Sequence, residues 1–297
     1  MTALDPMLSR AAGVVAVIHH SHGIKAALSV MHLRARFPQW SEALWQGALL
    51  RSGWFDEPVV DRPVDVAPFE VKPGRAHIIL GRTVLPRAYA ATRAWAAAQG
   101  GDGIVAFYLD EAAADPGYLG HRLSILLALG QAWPLYKDSE QRDLYLDRLT
   151  EFILASQFKG SGKDGRIIRE AAWGEASAAA LVRPGFFGHH VICLAWIGRC
   201  REALSDSQWG SSLGWLVEAA NTIYADAEDN IAISGVLDEP PTEDDLDAAL
   251  RDLLLRGVRN IHQLTLADAI AWLWDTHEDA RGHLINLARH YVERAEP

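Results

Sequence analysis

Apolar residues recur at three- and four-residue steps along most of this chain, and that spacing narrows the choice of fold. The period is typical of amphipathic helices, whereas a half-buried strand alternates every second residue. Only Ile78–Leu80 reads as a possible short strand. The sequence therefore predicts an all-α fold of roughly ten helices. We expect one compact domain spanning residues 1–297, with a weak boundary near residues 100–103.

Local signals place the helices and the breaks between them. Pro38 ends the first helical region, and Ser41 caps the helix that follows. Prolines at intervals that a helix does not tolerate predict an extended segment over residues 56–72, and Gln99–Gly103 predicts a flexible break. Thr242 caps a late helix. Further helices are predicted over Ala88–Ala98, Leu119–Trp133, Ser139–Gln157, His189–Leu204, Leu213–Ala225 and most of Leu246–Val292.

Charge and hydropathy exclude several kinds of partner. With 28 basic and 38 acidic residues the net charge is −10, and the absence of a basic stripe argues against nucleic acid. No apolar stretch is long enough to span a membrane, and the N-terminus lacks the basic region of a signal peptide. Cys193 and Cys200 are spaced too far apart on one helix to form a disulfide. We therefore expect a cytoplasmic protein that binds neither membrane nor nucleic acid.

A glycine-rich segment, Lys159–Gly165, has the composition of a loop. It lacks the glycine, lysine and serine spacing of a phosphate-binding loop, and no buried strand precedes it. No nucleotide or flavin cofactor is therefore expected. The segment could instead close over a pocket.

Histidines carry the strongest chemical signal, because several of the 12 lie at or near the starts of apolar helices. Burying imidazoles singly is costly, since each ring has two nitrogens that need partners. Convergence on one metal ion satisfies one nitrogen of each ring, and facing helices of a bundle can direct side chains to one point. The sequence therefore predicts a metal site between helices. The four loci are His19–His22, His121, His189–His190 and His262.

Two of these loci leave the ligand undecided. His20 and His22 point about 200° apart on a helix, so only one of them can bind the metal without distortion. We prefer His22, which begins the apolar face over Ile24–Leu33, and keep His20 as the alternative ligand or as a catalytic residue. At the third locus we take His190 as the ligand and keep His189 as the alternative. Imidazole suits iron, zinc and copper alike.

Asp268 is the acidic residue of most interest, because it lies six residues after His262 on an otherwise apolar helix. It either has a structural role, in which it caps a turn or pairs with an arginine such as Arg259, or it orients a ligand or binds the metal itself. Asp268 is accordingly the second candidate catalytic residue.

The histidine-led segments resemble the questin oxidase-like family of polyketide pathways. Ser21–Val30 is similar to that family's N-terminal helix, in which a histidine leads into an apolar run. His262–Ala269 and Gly188–Val191 are similar to its later histidine-led helices, and His121 is placed like a histidine in the middle of those chains. The resemblance implies an all-helical fold and a mononuclear non-haem iron centre that cleaves an anthraquinone-like ring with oxygen. The family can carry a carboxylated lysine ligand near the position of His262, where this chain offers only Asp268.

The residues and the resemblance together predict an iron(II)-dependent oxygenase whose substrates are a polycyclic aromatic or polyketide-derived molecule and dioxygen. Tryptophans close to the histidine loci are candidates for stacking on a flat substrate, with core packing as the alternative role for each. They are Trp173, Trp196 and Trp272. A zinc-dependent hydrolase in the same site and a non-catalytic helical binding protein are the alternative functions. The sequence is compatible with a homo-oligomer.

Overall fold

The helices dominate a computed structural model that describes residues 4–15, 22–68, 70–82, 85–158 and 169–295. Extended backbone pairs once within these ranges, in an isolated bridge between Val14 and Val59. The α-helices of the described ranges are α1 (Pro6–Gly13), α2 (Gly23–Arg36), α3 (Glu42–Arg51), α4 (Pro73–Gly81), α5 (Arg87–Ala114), α6 (His121–Ala132), α7 (Ser139–Ser156), α8 (Trp173–Val182), α9 (His189–Arg199), α10 (Asp206–Asn221), α11 (Glu243–Arg256), α12 (His262–Thr276) and α13 (Arg281–Glu293). The predicted all-α class is confirmed.

The predicted helix starts are confirmed where a side chain caps the backbone. Ser41 Oγ accepts the Leu44 amide at the start of α3. At the start of α11, Thr242 Oγ1 accepts the Asp245 amide, and the Asp245 carboxylate accepts the Thr242 amide in return. These contacts satisfy backbone N–H groups that the first turn of a helix leaves without a partner. Cys193 and Cys200 form no disulfide, as predicted.

One local prediction, the short strand, is wrong. Ile78–Leu80 lies in α4, because Pro73 opens a helix there and three apolar residues are too few to define a period. The break predicted at residues 99–103 is present as a kink inside α5, where Gly100 adopts a non-helical φ of 76°. Next to it, a Cβ at Gly101 would lie 2.7 Å from the Trp133 ring, so glycine permits the close approach of that side chain. The described residues of the 56–72 segment are non-helical, as predicted.

The described residues form 13 α-helices, which is about three more than the roughly ten that the periodicity predicts. Much of the difference comes from the last stretch, which the periodicity treats as one nearly continuous region. Gly257 ends α11 and His277 ends α12, so that region contains three helices. His20 and the Lys159–Gly165 segment lie outside the described residues.

The contacts between residues divide the chain into two units. Unit 1 comprises Met1–Leu28, Glu57–Pro116 and His121–Arg166, and in it α5 packs against α4, α6 and α7 while α1 packs against α7. Unit 2 comprises Ser29–Asp56, Gly117–Gly120 and Ile167–Pro297. In unit 2, α9 packs against α8, α10 and α12, and α11 packs against α3, α12 and α13. The single domain with a weak boundary near 100–103 stays a prediction.

Within the part of the chain that the structure describes, no helix has the length and apolarity needed to cross a membrane.

Candidate metal centre

Each of the four histidine loci supplies a ring at the start of a helix. His22 directly precedes α2, and its carbonyl accepts the Ala26 amide at 2.8 Å. His121, His189 and His262 are the first residues of α6, α9 and α12. Glycines in the left-handed region turn the chain into two of these helices, at Gly120 (φ 72°) and Gly188 (φ 73°). The predicted placement at helix starts is therefore confirmed for these four rings.

In unit 2, His189 and His262 form a ring pair whose centroids are 4.4 Å apart. His189 Nδ1 contacts the Phe186 carbonyl oxygen, and His262 Nδ1 contacts Asn260 Oδ1 at 2.6 Å. Asn260 Oδ1 also accepts the backbone N–H of His262 at 3.0 Å. Because these oxygens can only accept, Nδ1 carries the proton in both rings. The Nε2 atom of each ring therefore holds a lone pair, which is the form that binds metal.

Aromatic side chains pack around this pair. Phe187 stacks on His262 at 5.8 Å and on Tyr291 at 5.9 Å, and Phe186 lies parallel to His189 at 6.2 Å. Such packing restricts the rotation of both imidazoles. The pair thus has the two features of a preorganised metal site, a fixed tautomer and a fixed ring plane.

His190 points elsewhere, which resolves one alternative that the sequence left open. Its Nδ1–H donates to the Arg183 carbonyl at 2.7 Å, and its ring lies edge-on to Trp215 at 6.2 Å. Burial lowers the pKa of His190, so the ring is neutral, and its buried Nε2 has no hydrogen-bond partner among the residues that the structure describes. The structure therefore brings His189, and not His190, next to His262.

In unit 1, His22 and His121 form a second ring pair. Their centroids are 5.0 Å apart and their planes are nearly perpendicular, at 85°. Each ring offers a nitrogen that lies within 4.8 Å of one from the other, and both residues are half-buried. Two nitrogens that bind one ion at about 2.1 Å lie roughly 3 Å apart, so small ring rotations would bring this pair to ligand spacing.

Asp268 has a structural role, because it pairs with an arginine. That arginine is Arg199 and not Arg259. Its two oxygens accept from Arg199 Nη1 and Nη2, each at 2.8 Å, and His32 Nδ1 lies 3.3 Å from Oδ2. Arg259, the arginine expected, instead pairs with Asp56 at 2.6 Å. Burial raises the pKa of the Asp268 carboxyl, but the His32 hydrogen bond and the Arg199 charge outweigh it and the net shift is downward.

The three candidate tryptophans lie in unit 2 in different surroundings. Trp196 is buried at 1% exposure and faces the Arg199 guanidinium, so it has the contacts of a core residue. Trp173 and Trp272 are half-buried and meet edge-to-face at 6.3 Å. Trp173 also stacks on Trp209 at 5.2 Å, so its neighbours already occupy part of the ring surface that a substrate would need.

The site contains two residues that the sequence analysis did not single out. Asn260 fixes the tautomer of His262, and an asparagine two residues before a histidine at a helix start is a signal that could have indicated this. The other is His32, which lies on a helix with Arg34 and Arg36. Nothing in the local pattern reveals that it contacts Asp268, since 236 residues separate the two.

Neutral imidazole is a donor that suits iron(II), zinc or copper. In unit 1, His22 and His121 are the residues that could hold such an ion, and in unit 2 they are His189 and His262. The Asp268 carboxylate pairs with Arg199, so Asp268 is not counted among these ligands.

Comparison of the chain with models of protein families, with curated proteins and with solved structures finds no match.

Proposed function

We propose that this protein is a metal-dependent oxygenase that acts on a polycyclic aromatic or polyketide-derived molecule and uses iron(II). The observation that supports it best is the His189–His262 pair, in which both Nδ1 atoms contact oxygen acceptors and the tautomer therefore leaves the lone pair on Nε2 of each ring. His22 and His121 are proposed as further ligands. The resemblance of the histidine-led segments to the questin oxidase-like family agrees with this assignment.

Residues around His189 and His262 would hold both imidazoles ready to bind the metal. Asn260 and the Phe186 carbonyl hold the imidazoles of His262 and His189 in the ligating tautomer. Phe187 stacks on His262 and would limit the approach of water from its side, and Tyr291 packs against Phe187. Bound iron(II) supplies the capacity to react with dioxygen, which the side chains lack.

Metal analysis of the purified protein and of histidine variants tests the proposal. We expect H22A and H262A each to remove most of the metal while far-UV circular dichroism stays close to that of the wild type. H77A and H283A, which change histidines outside the ligand set, serve as matched controls and should keep full occupancy. Full occupancy in both H22A and H262A would refute the assignment.

Two further measurements separate the alternatives. The metal-to-protein ratio decides whether all four histidines serve one ion, as the sequence analysis predicts. Turnover of phenolic polycyclic substrates with and without oxygen distinguishes an oxygenase from a zinc hydrolase, because hydrolysis needs no oxygen. A wild-type protein that binds neither iron nor zinc would favour the non-catalytic alternative.

A further inference from the structure

One short sequence pattern occurs twice in the chain, and each copy ends in a candidate ligand. The pattern is proline, glycine, an aromatic residue, any residue, glycine and histidine. It reads PGYLGH at residues 116–121 and PGFFGH at residues 184–189. The helix that follows each copy carries a leucine five residues and a glycine nine residues after the histidine. We name residues 116–121 the first histidine turn and residues 184–189 the second histidine turn.

The two histidine turns share an uncommon backbone conformation. Three residues at equivalent positions of each turn have a positive φ. The angles are 72°, 60° and 72° at Gly117, Leu119 and Gly120, and 68°, 48° and 73° at Gly185, Phe187 and Gly188. Leucine and phenylalanine rarely adopt such angles, because their Cβ approaches the following carbonyl oxygen. Backbone of this kind persists only where the surrounding structure fixes it, and it is concentrated at ligand sites.

The same two backbone hydrogen bonds close each turn. In the first turn, the Gly120 amide donates to the Gly117 carbonyl at 3.1 Å, and the Arg122 amide donates to the Pro116 carbonyl at 3.0 Å. The equivalent bonds of the second turn are 3.0 Å and 2.9 Å long. Sequence, φ angles and hydrogen bonds therefore agree, and the two turns are copies of one local structure.

The second turn shows how this structure holds its histidine. The Phe186 carbonyl accepts the backbone N–H of His189 and also contacts His189 Nδ1. The imidazole therefore lies against the turn, and the Nε2 lone pair is on the far side of the ring. Tyr118 occupies the position of Phe186 in the first turn, three residues before His121.

The glycine before each histidine is closely packed. A Cβ at Gly120 would lie 2.8 Å from Cys193 Sγ, and a Cβ at Gly188 would lie 2.6 Å from Leu266 Cδ1. An alanine at either position would therefore meet a close neighbour as well as an unfavourable φ. Accommodating it requires a shift of the backbone that begins the histidine's helix.

We propose that the two histidine turns are one ligand-presenting module used twice, in which Gly120 and Gly188 are positioning residues for His121 and His189. In each copy the carbonyl three residues before the histidine holds Nδ1–H, so that Nε2 is presented to the ligand. The inference rests on the proposed function for the identity of that ligand, a metal ion. It adds that His121 has the same tautomer as His189 and is held by the Tyr118 carbonyl.

Titration of the metal-free protein with zinc tests the positioning role. We expect G120A and G188A each to bind zinc roughly tenfold to a hundredfold more weakly than the wild type, the loss typical when the group that orients a ligand is disturbed. G53A is the matched control, because Gly53 has a φ of 74° and lies outside both turns, with the Asp56 carboxylate as the nearest group to an added Cβ. It should lower stability and leave zinc affinity unchanged.

Urea denaturation identifies the variants that remain folded. Wild-type zinc affinity in folded G120A and G188A would overturn the positioning role. An equal loss of affinity in G53A would overturn it too, since general destabilisation would then explain the effect.

Nuclear magnetic resonance of the wild type tests the tautomers without a glycine variant. Long-range proton–nitrogen correlations in metal-free protein labelled with ¹⁵N-histidine show which ring nitrogen carries the proton, and H121Q and H189Q assign the two rings. We expect the proton on Nδ1 in both His121 and His189. A proton on Nε2 of His121 would overturn the module.

The same samples separate this proposal from the one on which it rests. If the wild type binds no metal, the proposed oxygenase fails, and the tautomers of the metal-free protein still decide whether both turns hold their histidines alike. If the wild type binds metal and the two histidines differ in tautomer, the metal site stands and the repeated module is wrong.

Discussion

Arg199 and Asp268 face each other through two parallel hydrogen bonds of 2.8 Å, and the aspartate side chain is only 3% exposed. The guanidinium also lies 5.3 Å above the Trp196 ring and 6.0 Å above the Trp272 ring. The pair thus joins α9 to α12, the two helices that begin with His189 and His262. A contact of this kind stabilises the helix pair that carries the candidate ligands.

Replacing Arg199 by methionine should destabilise the fold strongly, because it leaves a carboxylate buried without its cation. We expect the free energy of unfolding to fall by about 3–5 kcal/mol, measured by urea denaturation at neutral pH. R256M is the control, since Arg256 and Asp252 form an exposed pair and its loss should cost less than about 1 kcal/mol. A loss in R199M no larger than that in R256M would contradict the role given to the pair.

The same pair predicts a pH dependence. The pKa of Asp268 is lower in the folded protein than the value of about 3.9 that an unfolded chain gives. Its contribution to stability is therefore present above about pH 4 and is lost as the pH falls through the folded pKa. The difference in unfolding free energy between wild type and R199M should shrink as the pH is lowered towards that range. A difference that stays constant with pH would show that packing, and not charge, explains the loss.

The sequence predicted what depends on neighbouring residues. Ser41 and Thr242 each accept the backbone amide of the residue three positions later. The sequence could therefore predict both helix starts. The histidines at helix starts could be placed for the same reason. The choice of His189 over His190 depends on the rotation of α9, which the Arg183 carbonyl and the surrounding helices fix. Asp268 pairs with Arg199 and not with Arg259. Arg199 lies 69 positions from Asp268, so no local sequence pattern could predict this pair.

Replacing Asn260 by alanine should weaken metal binding without removing a ligand. Asn260 Oδ1 is the acceptor that holds the Nδ1 proton of His262. Loss of such a partner typically lowers metal affinity by roughly tenfold to a hundredfold. Titration of the metal-free protein with zinc measures the change, and N221A, an exposed asparagine at the end of α10, is the control. N260D keeps an oxygen acceptor and should recover the affinity; failure of N260D to differ from N260A would exclude the hydrogen bond as the cause.

The cap of α3 gives a test of local stability. Ser41 Oγ accepts the Leu44 amide at 3.3 Å. S41A should lower the free energy of unfolding by about 0.5–2 kcal/mol, whereas S41G should lower it by only a few tenths because glycine suits the cap backbone. Chemical denaturation compares the two variants. Equal losses in S41A and S41G would mean that the hydroxyl contact contributes little.

Trp173 and His277 should report pH through tryptophan emission. The indole N–H of Trp173 donates to His277 Nε2, and Thr276 Oγ1 donates to the Trp272 carbonyl and so accepts from His277 Nδ1–H at 2.7 Å. His277 must therefore be neutral, and burial lowers its pKa below the usual 6.5. Its contribution to stability is complete above about pH 6.5 and declines as the pH falls towards the folded pKa.

Acidification should break the Trp173 contact, because a protonated Nε2 cannot accept a hydrogen bond. The emission of Trp173, obtained as the difference between wild type and W173F, should change with a midpoint below pH 6.5. H277Q supplies an acceptor that does not titrate, so we expect the transition to disappear. H283Q is the matched control, since burial lowers the pKa of His283 as well and the transition should persist in it. A transition that survives in H277Q would assign the pH response to another group.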